Sequence, residues 1–325
     1  HTGEPLCLAS YPSYNLVTFM DDYSDLLQDE SNPLVNRALN GIYSPGSTFK
    51  PVTALTALSE HLISGDEAFV CTGVYLEFAD IGYAPECTGI HGALTVSEAI
   101  TASCNLFFYQ VGNIVGIDLI HQYATTLGLG QYTGIELDES KGRVASPEVK
   151  AQFYTGYDAQ WYAGDNLQAA IGQSVTGLTP IQLARYCAAL ANKGTVYECS
   201  ILKSISSYDY SDSIFERTPI AENVLEADDE IWALIRTGMI GVANESGGTA
   251  YSTFGGYSPT VAAKTGTTET GSTTPDAVFI CYAPAEDPEI AVTVIIEGAG
   301  SGGDYAVPIA RRIFDEYFRQ EGKMQ

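Results

Sequence analysis

A serine and a lysine stand three positions apart, at Ser47 and Lys50, where a helical pattern of apolar residues begins. Residues i and i+3 share one face of a helix, so the Lys50 amine can reach the Ser47 hydroxyl. A serine is a weak nucleophile that needs a base, and a lysine serves as one when desolvation or a nearby cation lowers its pKa. The helix N-terminus adds free backbone N–H groups. The pair predicts nucleophilic acyl transfer, although Ser-x-x-Lys alone occurs by chance in many long chains.

A second polar motif, Ser103-Cys104-Asn105, follows Ser47 after 56 positions and lies between two helical patterns. A hydroxyl at this point can relay a proton to a leaving amine, and an amide can hold a substrate carbonyl. Serine and asparagine are also typical capping residues at a helix junction. The motif by itself therefore leaves both roles open.

A third motif, Lys264-Thr265-Gly266-Thr267, ends a strand-like run 217 positions after Ser47. A cation with two hydroxyls suits a carboxylate ligand, and Gly266 leaves room for a peptide along the strand edge. The backbone N–H groups of Thr267 and Ser47 can together form an oxyanion hole. Taken alone, this motif is also compatible with an ordinary strand end beside a turn.

Helical patterns surround the first two motifs. A helix is predicted from Ser47 to about Glu60, because apolar residues recur there at three-residue steps. Thr95 and Glu98 form a T-x-x-E capping box at the start of another helix. Further elements are predicted as follows: helices at about 105–115, 118–128 and from Pro180 to before Gly194, a short strand at 5–10, and a surface loop at 21–32.

The last third of the sequence changes to strand patterns. Three β-rich runs, TVAAKTGTT, AVFICYA and IAVTVIIE, are bounded by turn residues and followed by a helix at about 305–320. We therefore predict an α/β protein of the α+β type, with an antiparallel sheet flanked by helices plus a helical subdomain. No repeat or low-complexity linker divides residues 1–325, so we expect one domain.

Composition narrows the classes of protein. The chain has 325 residues, 45% of them hydrophobic, and its 15 Lys+Arg against 40 Asp+Glu give a net charge of −25. This hydrophobic content excludes a disordered protein. Phosphate binding needs clustered Lys and Arg, so we expect no nucleic acid partner. No apolar run is long enough to span a bilayer.

The seven cysteines form no Cys-x-x-Cys pair, and on that ground we expect no metal site. Cys71 and Cys87 bracket a loop of 15 residues rich in Gly and Pro, and we expect them to lie close together. A disulfide across such a loop would contribute about 3 kcal/mol. Two separate buried thiols are the alternative.

Together, the order and spacing of the three motifs match those of serine enzymes that react with penicillin. The sequence resembles the transpeptidase domain of an elongation-type class B penicillin-binding protein over nearly its whole length. The segments that carry the resemblance are NRALNGIYSPGSTFKPVTALTAL, HGALTVSEAITASCNLFFYQVG, IGQSVTGLTPIQLARYCAALANKG, AAKTGTT and PDAVFICYAP. It implies a β-lactamase/transpeptidase-like fold.

The resemblance also implies catalytic roles. Ser47 would be the acylated nucleophile and Lys50 its general base. Ser103, assisted by Lys264, would pass the proton to the departing D-alanine. The substrate would be the D-Ala-D-Ala end of a peptidoglycan stem peptide, and the acceptor an amine of a neighbouring stem. No metal or organic cofactor would be needed.

Substrate binding and partners follow from the same resemblance. Asn105 would orient the acyl amide, while Thr265, Gly266 and Thr267 would bind the end that carries the carboxylate. The implied partners are peptidoglycan stem peptides, β-lactam antibiotics and a membrane glycosyltransferase of the cell-wall machinery. We expect the protein at the extracytoplasmic face of the membrane, with an N-terminal anchor and pedestal module upstream of His1.

Alternative activities stay open at this point. A serine β-lactamase of class D would carry Val at the position of Asn105, and one of class A would need a glutamate that activates water. A β-lactam sensor domain or a D,D-carboxypeptidase could have the same catalytic residues. His61 and His91 are candidates for the base of a Ser-His mechanism, but a lysine base makes a catalytic histidine unnecessary. Cys104 replaces the Asp of the related motif, and we expect its side chain to point away from the cleft.

Overall fold

The computed structural model describes residues 2–269 and 274–322. Within these ranges the helices are α1 Phe19–Gln28, α2 Arg37–Asn40, α3 Lys50–Ser59, α4 Val96–Thr101, α5 Asn105–Val115, α6 Ile117–Thr126, α7 Pro147–Phe153, α8 Ala163–Ala170, α9 Pro180–Ala191, α10 Asp229–Asn244, α11 Tyr251–Phe254 and α12 Gly302–Gln320. The strands are β1 Phe69–Cys71, β2 Gly92–Leu94, β3 Thr195–Tyr197, β4 Ser204–Ser206, β5 Ser213–Glu216, β6 Ala221–Val224, β7 Ala262–Thr268, β8 Asp276–Ala283 and β9 Ile290–Ile296. None of these helices is long and apolar enough to cross a membrane.

The main sheet is antiparallel, in the order β7-β8-β9. Lys264 of β7 pairs with Ile280 of β8, which in turn pairs with Thr293 of β9. Every residue of β8 is buried, and successive side chains of a strand point to opposite faces, so helices cover both faces of the sheet. The covering helices are α9, α10 and α12. The predicted hairpin-rich sheet and final helix are confirmed.

Helix α3 forms the centre of the helical part. A single 3₁₀ turn, Gly46–Phe49, leads directly into it. All residues of α3 except the last are buried, because α5, α6 and α10 surround it. Pro51 fits in the first turn, where backbone N–H groups have no partner within the helix. The predicted helix at 47–60 is therefore confirmed, with a tighter first turn.

The junction between α4 and α5 carries the second motif. Thr95 and Glu98 form the predicted capping box of α4. Cys104 caps α5, and its sulfur accepts a hydrogen bond from the Phe107 N–H. Ser103 lies in the left-handed region at φ 53°, which costs a residue with a side chain free energy. Such a conformation persists only where surrounding contacts hold it.

A small hairpin lies next to this junction. Strand β1 pairs with β2 in antiparallel register, with Cys71 opposite Gly92. A long loop connects the two strands. Within this loop, the Cys87 N–H donates to the Gly73 carbonyl at 2.8 Å. The hairpin therefore brings both ends of this loop together beside α5.

Two predictions near the N-terminus are wrong. Residues 5–10 form no strand, although Leu8 packs on a small cluster that includes Leu39 and Ile181. Residues 19–28 form α1 rather than a loop. Acidic residues in its first turn, Asp21 and Asp22, interact favourably with the helix dipole. The sequence suggested a loop because acidic, polar residues are also typical of an exposed loop, and none of the residues of α1 is buried.

Candidate active site

Lys50 lies at the base of the site and is fully buried. Its Nζ donates to the Ser103 carbonyl oxygen at 2.6 Å and to Asn105 Oδ1 at 2.7 Å. It also lies 3.3 Å from Ser103 Oγ. The start of α3 and the junction between α4 and α5 are therefore joined through one amine.

Lys264 reaches the same serine from the sheet. It is fully buried on β7, and its Nζ donates to Ser103 Oγ at 2.8 Å. Two amines, one from α3 and one from β7, therefore contact the Ser103 hydroxyl oxygen. This geometry suits a hydroxyl that hands a proton to a bound group. We call Lys50, Ser103, Asn105 and Lys264 the lysine cluster.

Burial changes the acidity of both amines. Loss of solvation lowers the pKa of Lys50 to about 7, and the electrostatic interaction with Cys104 and Cys87 opposes this lowering. Burial, and secondly the charge of Lys50, lower the pKa of Lys264 well below its usual value. Within the described ranges neither amine pairs with a carboxylate. A neutral Lys50 near pH 7 can accept a proton.

Ser47 lies against the edge of the main sheet. A Cβ added at Gly266 would lie 2.9 Å from the Pro45 carbonyl oxygen, so the turn that carries Ser47 touches β7. Likewise, a Cβ added at Gly46 would lie 3.2 Å from the Thr267 carbonyl oxygen. Only glycine permits this close approach. The structure thus brings the first and third motifs together, with Ser47 half-buried between them.

One expected contact is different. Across residues 2–269 and 274–322, no hydrogen bond joins Ser47 Oγ to Lys50 Nζ, because this amine is engaged by Ser103 and Asn105. A direct Ser47–Lys50 bond is what the i, i+3 spacing suggested. Its absence counts against a preformed transfer of the proton. Catalytic hydrogen bonds of a free enzyme often tighten only when substrate binds.

The threonines of the third motif have different environments. Thr265 is buried, and its Oγ1 lies 2.6 Å from Thr249 Oγ1. Thr267 is exposed, and its Oγ1 accepts from the Gly302 N–H at the start of α12 at 3.5 Å. Sequence reasoning missed Thr249, since nothing in its local pattern marks it. Its contact with Thr265 arises only from the packing of the fold.

A second polar cluster lies on the other side of the junction. It consists of Cys71, Cys87, His91 and Cys104, whose ligand atoms all lie within 4.8 Å of one another. We call these four residues the thiol cluster. His91 Nδ1 is 3.4 Å from Cys71 Sγ and 3.6 Å from Cys87 Sγ. Cys87 Sγ is 3.8 Å from Cys104 Sγ. All four side chains are at least partly buried.

This geometry fits a zinc ion. Bonds of about 2.3 Å to sulfur and 2.0 Å to nitrogen in a tetrahedron place neighbouring ligand atoms about 3.5–3.8 Å apart. The observed spacings fall in or close to that range, and three Cys with one His is a ligand set typical of structural zinc. The absence of a Cys-x-x-Cys pair was therefore misleading as an argument against a metal site. The ligands stand 16, 4 and 13 positions apart, and only the fold assembles them.

The structure also tests two predictions about the positions of cysteines. Cys71 and Cys87 lie close together, as expected, but both are free thiols in the structure. Cys104 is fully buried and points away from the lysine cluster, also as expected. A hydrogen bond from Cys104, and then several backbone N–H groups, lower the pKa of Cys87. The hydrogen bond with Cys87, and then burial, raise the pKa of Cys104.

A family model described as penicillin binding protein transpeptidase domain matches residues 1–315. This chain belongs to that transpeptidase family. Peptidoglycan D,D-transpeptidase MrdA of Salmonella typhimurium is 33% identical to it over 347 aligned residues. That alignment covers 98% of this chain and 54% of the relative, so the chain spans about half of the relative's length.

Solved structures of transpeptidase-family proteins have the same fold. Pseudomonas aeruginosa PBP2 in complex with WCK 5153 superimposes with a TM-score of 0.86 at 30% identity, covering 98% of this chain and 71% of that one. A chain from a peptidoglycan synthase complex, described as coordinating polymerization and crosslinking, gives 0.84 at 30%, with coverages of 96% and 53%. The penicillin G acyl-enzyme of Mycobacterium tuberculosis penicillin-binding protein A gives 0.79 at 26%, with coverages of 97% and 72%. The predicted transpeptidase-like α/β fold is confirmed.

Proposed function

We propose that this transpeptidase-family domain is a serine-type D,D-transpeptidase that cross-links peptidoglycan stem peptides through an acyl-enzyme on Ser47. One observation carries the proposal. A fully buried lysine with a pKa of about 7 is linked to Ser103 and Asn105, next to the turn that presents Ser47 to the edge of β7. This arrangement supports Ser47 as the nucleophile, Lys50 as the base and Ser103 as the proton relay.

Acylation transfers the acyl group of the penultimate D-alanine from the amine of the terminal D-alanine to Ser47. Ser47 Oγ attacks the carbonyl of the penultimate D-alanine, and its proton passes to neutral Lys50. The peptide bond then breaks as Ser103 gives its proton to the leaving amine and takes a proton in turn from protonated Lys50, while Lys264 supports the Ser103 oxygen. Ser47 Oγ must turn towards Lys50 Nζ when substrate enters, because the amine is otherwise held by Ser103 and Asn105.

The second half of the reaction forms the cross-link. An amine from a neighbouring stem peptide attacks the acyl-enzyme carbonyl, its proton returns through the lysine cluster, and Ser47 leaves. The backbone N–H groups of Ser47 and Thr267 are proposed to stabilise the oxyanion in both halves. Asn105 orients the acyl amide, and Thr265 and Thr267 bind the terminal carboxylate, with Gly266 leaving room for the peptide.

The place of this domain in the cell follows from its substrate. We propose that residues 1–325 form one transpeptidase domain that acts at the extracytoplasmic face of the membrane, where stem peptides are cross-linked. The similar chain in a peptidoglycan synthase complex supports partners in the cell-wall machinery, and we propose a membrane glycosyltransferase as one of them. β-Lactams would bind as analogues of the D-Ala-D-Ala end.

The intact mass of the protein after incubation with penicillin G tests the proposal. We expect a stable adduct on Ser47 that lasts for many minutes. Throughout the described ranges no carboxylate hydrogen-bonds to the lysine cluster or to Ser47, so hydrolysis lacks a general base that contributes about 10²–10⁴-fold. The Ser47→Ala variant is expected to carry no adduct, while Ser59→Ala at the other end of α3 keeps it.

Other activities predict other results. Return to unmodified protein within seconds, with hydrolysed penicillin in solution, would identify a β-lactamase. An acyl-D-Ala-D-Ala peptide with a D-amino acid acceptor separates the remaining alternatives. Transfer to the acceptor supports the transpeptidase, hydrolysis alone indicates a carboxypeptidase, and neither product indicates a sensor domain.

A further inference from the structure

The outer edge of β7 ends in an exposed carboxylate. In the main sheet β7 pairs with β8 alone, so its other edge is open to a ligand as far as the described strands extend. Thr265, Thr267 and Glu269 stand at alternate positions, and alternate residues of a strand share one face. The two threonines are the residues proposed to bind the terminal carboxylate. Glu269 follows the last residue of β7 directly and continues the same face.

A donor peptide bound to this edge has a defined direction. An extended peptide can add to an open sheet edge as a further strand. Its terminal carboxylate is proposed to lie at Thr265 and Thr267. Ala262 and Ala263, at the opposite end of β7, are fully buried, so the rest of the peptide extends towards Glu269. The donor therefore runs antiparallel to β7.

The spacing of residues in extended chains sets which part of the donor meets Glu269. Two residues span roughly 6.6 Å, both in β7 and in an extended ligand. With the terminal D-alanine beside Thr267, the donor residue two positions before it lies beside Glu269. This is the residue that precedes the penultimate D-alanine, and it lies within reach of the Glu269 carboxylate.

Glu269 also lies near the helical wall of the site. Burial raises the pKa of Tyr109, and among the smaller contributions the carboxylate of Glu269 raises it further, so the two groups are close enough to interact. Tyr109 follows Asn105 by one turn on α5, on the helix face that carries the lysine cluster. Within residues 2–269 and 274–322, Glu269 forms no ion pair with a Lys or Arg. Its negative charge is thus available to a cationic ligand.

We propose that Glu269 is a specificity-determining residue, which favours donors that carry a cationic group on the residue before the penultimate D-alanine. The matching substrates are stem peptides with a free ammonium group at this position, as in lysine or another diamino acid. The attraction holds the donor along β7 before Ser47 attacks. Glu269 takes no part in moving protons or breaking bonds. This role rests on the proposed function.

The expected effect is small because Glu269 is exposed. An ion pair between exposed groups changes an equilibrium by a factor of about 2–5. Salt weakens such a pair, since the screening length falls to about 3 Å at 1 M ionic strength. A structural role of Glu269 would show no such dependence on salt or on the charge of the ligand.

Ampicillin and penicillin G are matched probes, because they differ only by an ammonium group on the carbon next to the side-chain carbonyl. In the acyl-enzyme this carbon takes the place of the donor residue before the penultimate D-alanine. Both acylation rates are measured by rapid-quench mass spectrometry at about pH 6, below the usual pKa of an α-amino group. We expect Glu269→Gln to lower the ratio of the ampicillin rate to the penicillin G rate about 2–5-fold. Glu269→Lys should lower this ratio further, and 1 M NaCl should reduce both differences.

Glu226→Gln is the control, because it removes an exposed carboxylate between β6 and α10 and changes the net charge equally. This variant should keep the original ratio. The role of Glu269 is refuted if its replacement leaves the ratio unchanged, if Glu226→Gln lowers the ratio as much, or if salt has no influence. Failure of both probes to acylate the unaltered chain would instead refute the proposed function, and the role of Glu269 with it.

Discussion

The short segment Ser103-Cys104-Asn105 separates two polar clusters of opposite character. On one side, Ser103 and Asn105 face two buried amines, Lys50 and Lys264. On the other side, Cys104 faces sulfur and imidazole ligands. The lysine cluster holds hard donors suited to moving protons, whereas the thiol cluster holds soft ligands suited to a metal ion. Cys104 points to the opposite side from Ser103 and Asn105, so one turn contributes side chains to both clusters.

The two clusters also influence each other electrostatically. Burial is the main cause of the lowered pKa of Lys50, and the electrostatic interaction with Cys104 and Cys87 opposes it. Groups outside the lysine cluster therefore help to set the pKa of Lys50.

The largest expected effect comes from replacing Lys50, which should change the lysine cluster and leave the thiol cluster intact. Lys50→Ala removes the base, and we expect acylation by penicillin to fall about 10²–10⁴-fold. The thiol cluster should persist, because its contacts join sulfur and imidazole atoms and do not involve this amine. Rapid-quench mass spectrometry gives the rate, and circular dichroism checks the fold. Lys141→Ala, at an exposed position, is the matched control and should acylate normally. Equal rates in the two variants would refute the role of Lys50.

The pH dependence of acylation sharpens the electrostatic argument. Lys50 is a base only when neutral, and its pKa is about 7, so the rate should rise with pH up to about that value. Below it, each pH unit should cost about tenfold, or roughly a hundredfold between pH 7 and pH 5. The charged or titratable groups that influence Lys50 are Lys264, Cys104 and Cys87. A flat rate profile between pH 5 and pH 8 would contradict this assignment.

Addition of zinc tests the thiol cluster. An ion that binds the folded ligand set stabilises the reduced protein, and free zinc at a hundredfold excess over Kd adds about 2.7 kcal/mol to the free energy of unfolding. We expect a rise in Tm of a few degrees in a thermal melt, reversed by a chelator. Cys71→Ala should lose this shift, while Cys187→Ala should retain it. A Tm that does not respond to zinc would leave the cluster as packed thiols only.

The smallest expected effect concerns the contact that brings the first and third motifs together. A Cβ at position 266 would lie 2.9 Å from the Pro45 carbonyl oxygen and 3.2 Å from Thr48 Cγ2. Gly266→Ala should therefore cost about 1–3 kcal/mol of stability, measured by urea unfolding, and slow acylation. Gly247→Ala, where an added Cβ meets nothing within 4 Å, is the control. If the two variants unfold alike, the turn can move away from β7.

Much of the lysine cluster could be predicted from local sequence. The helix that carries Lys50, the capping box before Ser103 and the strand that carries Lys264 are short-range patterns, and each formed as predicted. The predicted strand at 5–10 failed because a strand needs a pairing partner, and the sequence of one segment does not specify that partner. Helix α1 was missed because its acidic residues resemble those of a loop.

The sequence by itself therefore determined the candidate site residues, the elements that carry them and the family to which the chain belongs. Only the tertiary structure decided which distant side chains meet. It drew Lys50 Nζ to Ser103 and Asn105 rather than to Ser47, and it assembled Cys71, Cys87, His91 and Cys104 from a hairpin, its loop and a helix cap. Local patterns reflect interactions within a few residues, whereas these contacts depend on how complete elements pack around a common core.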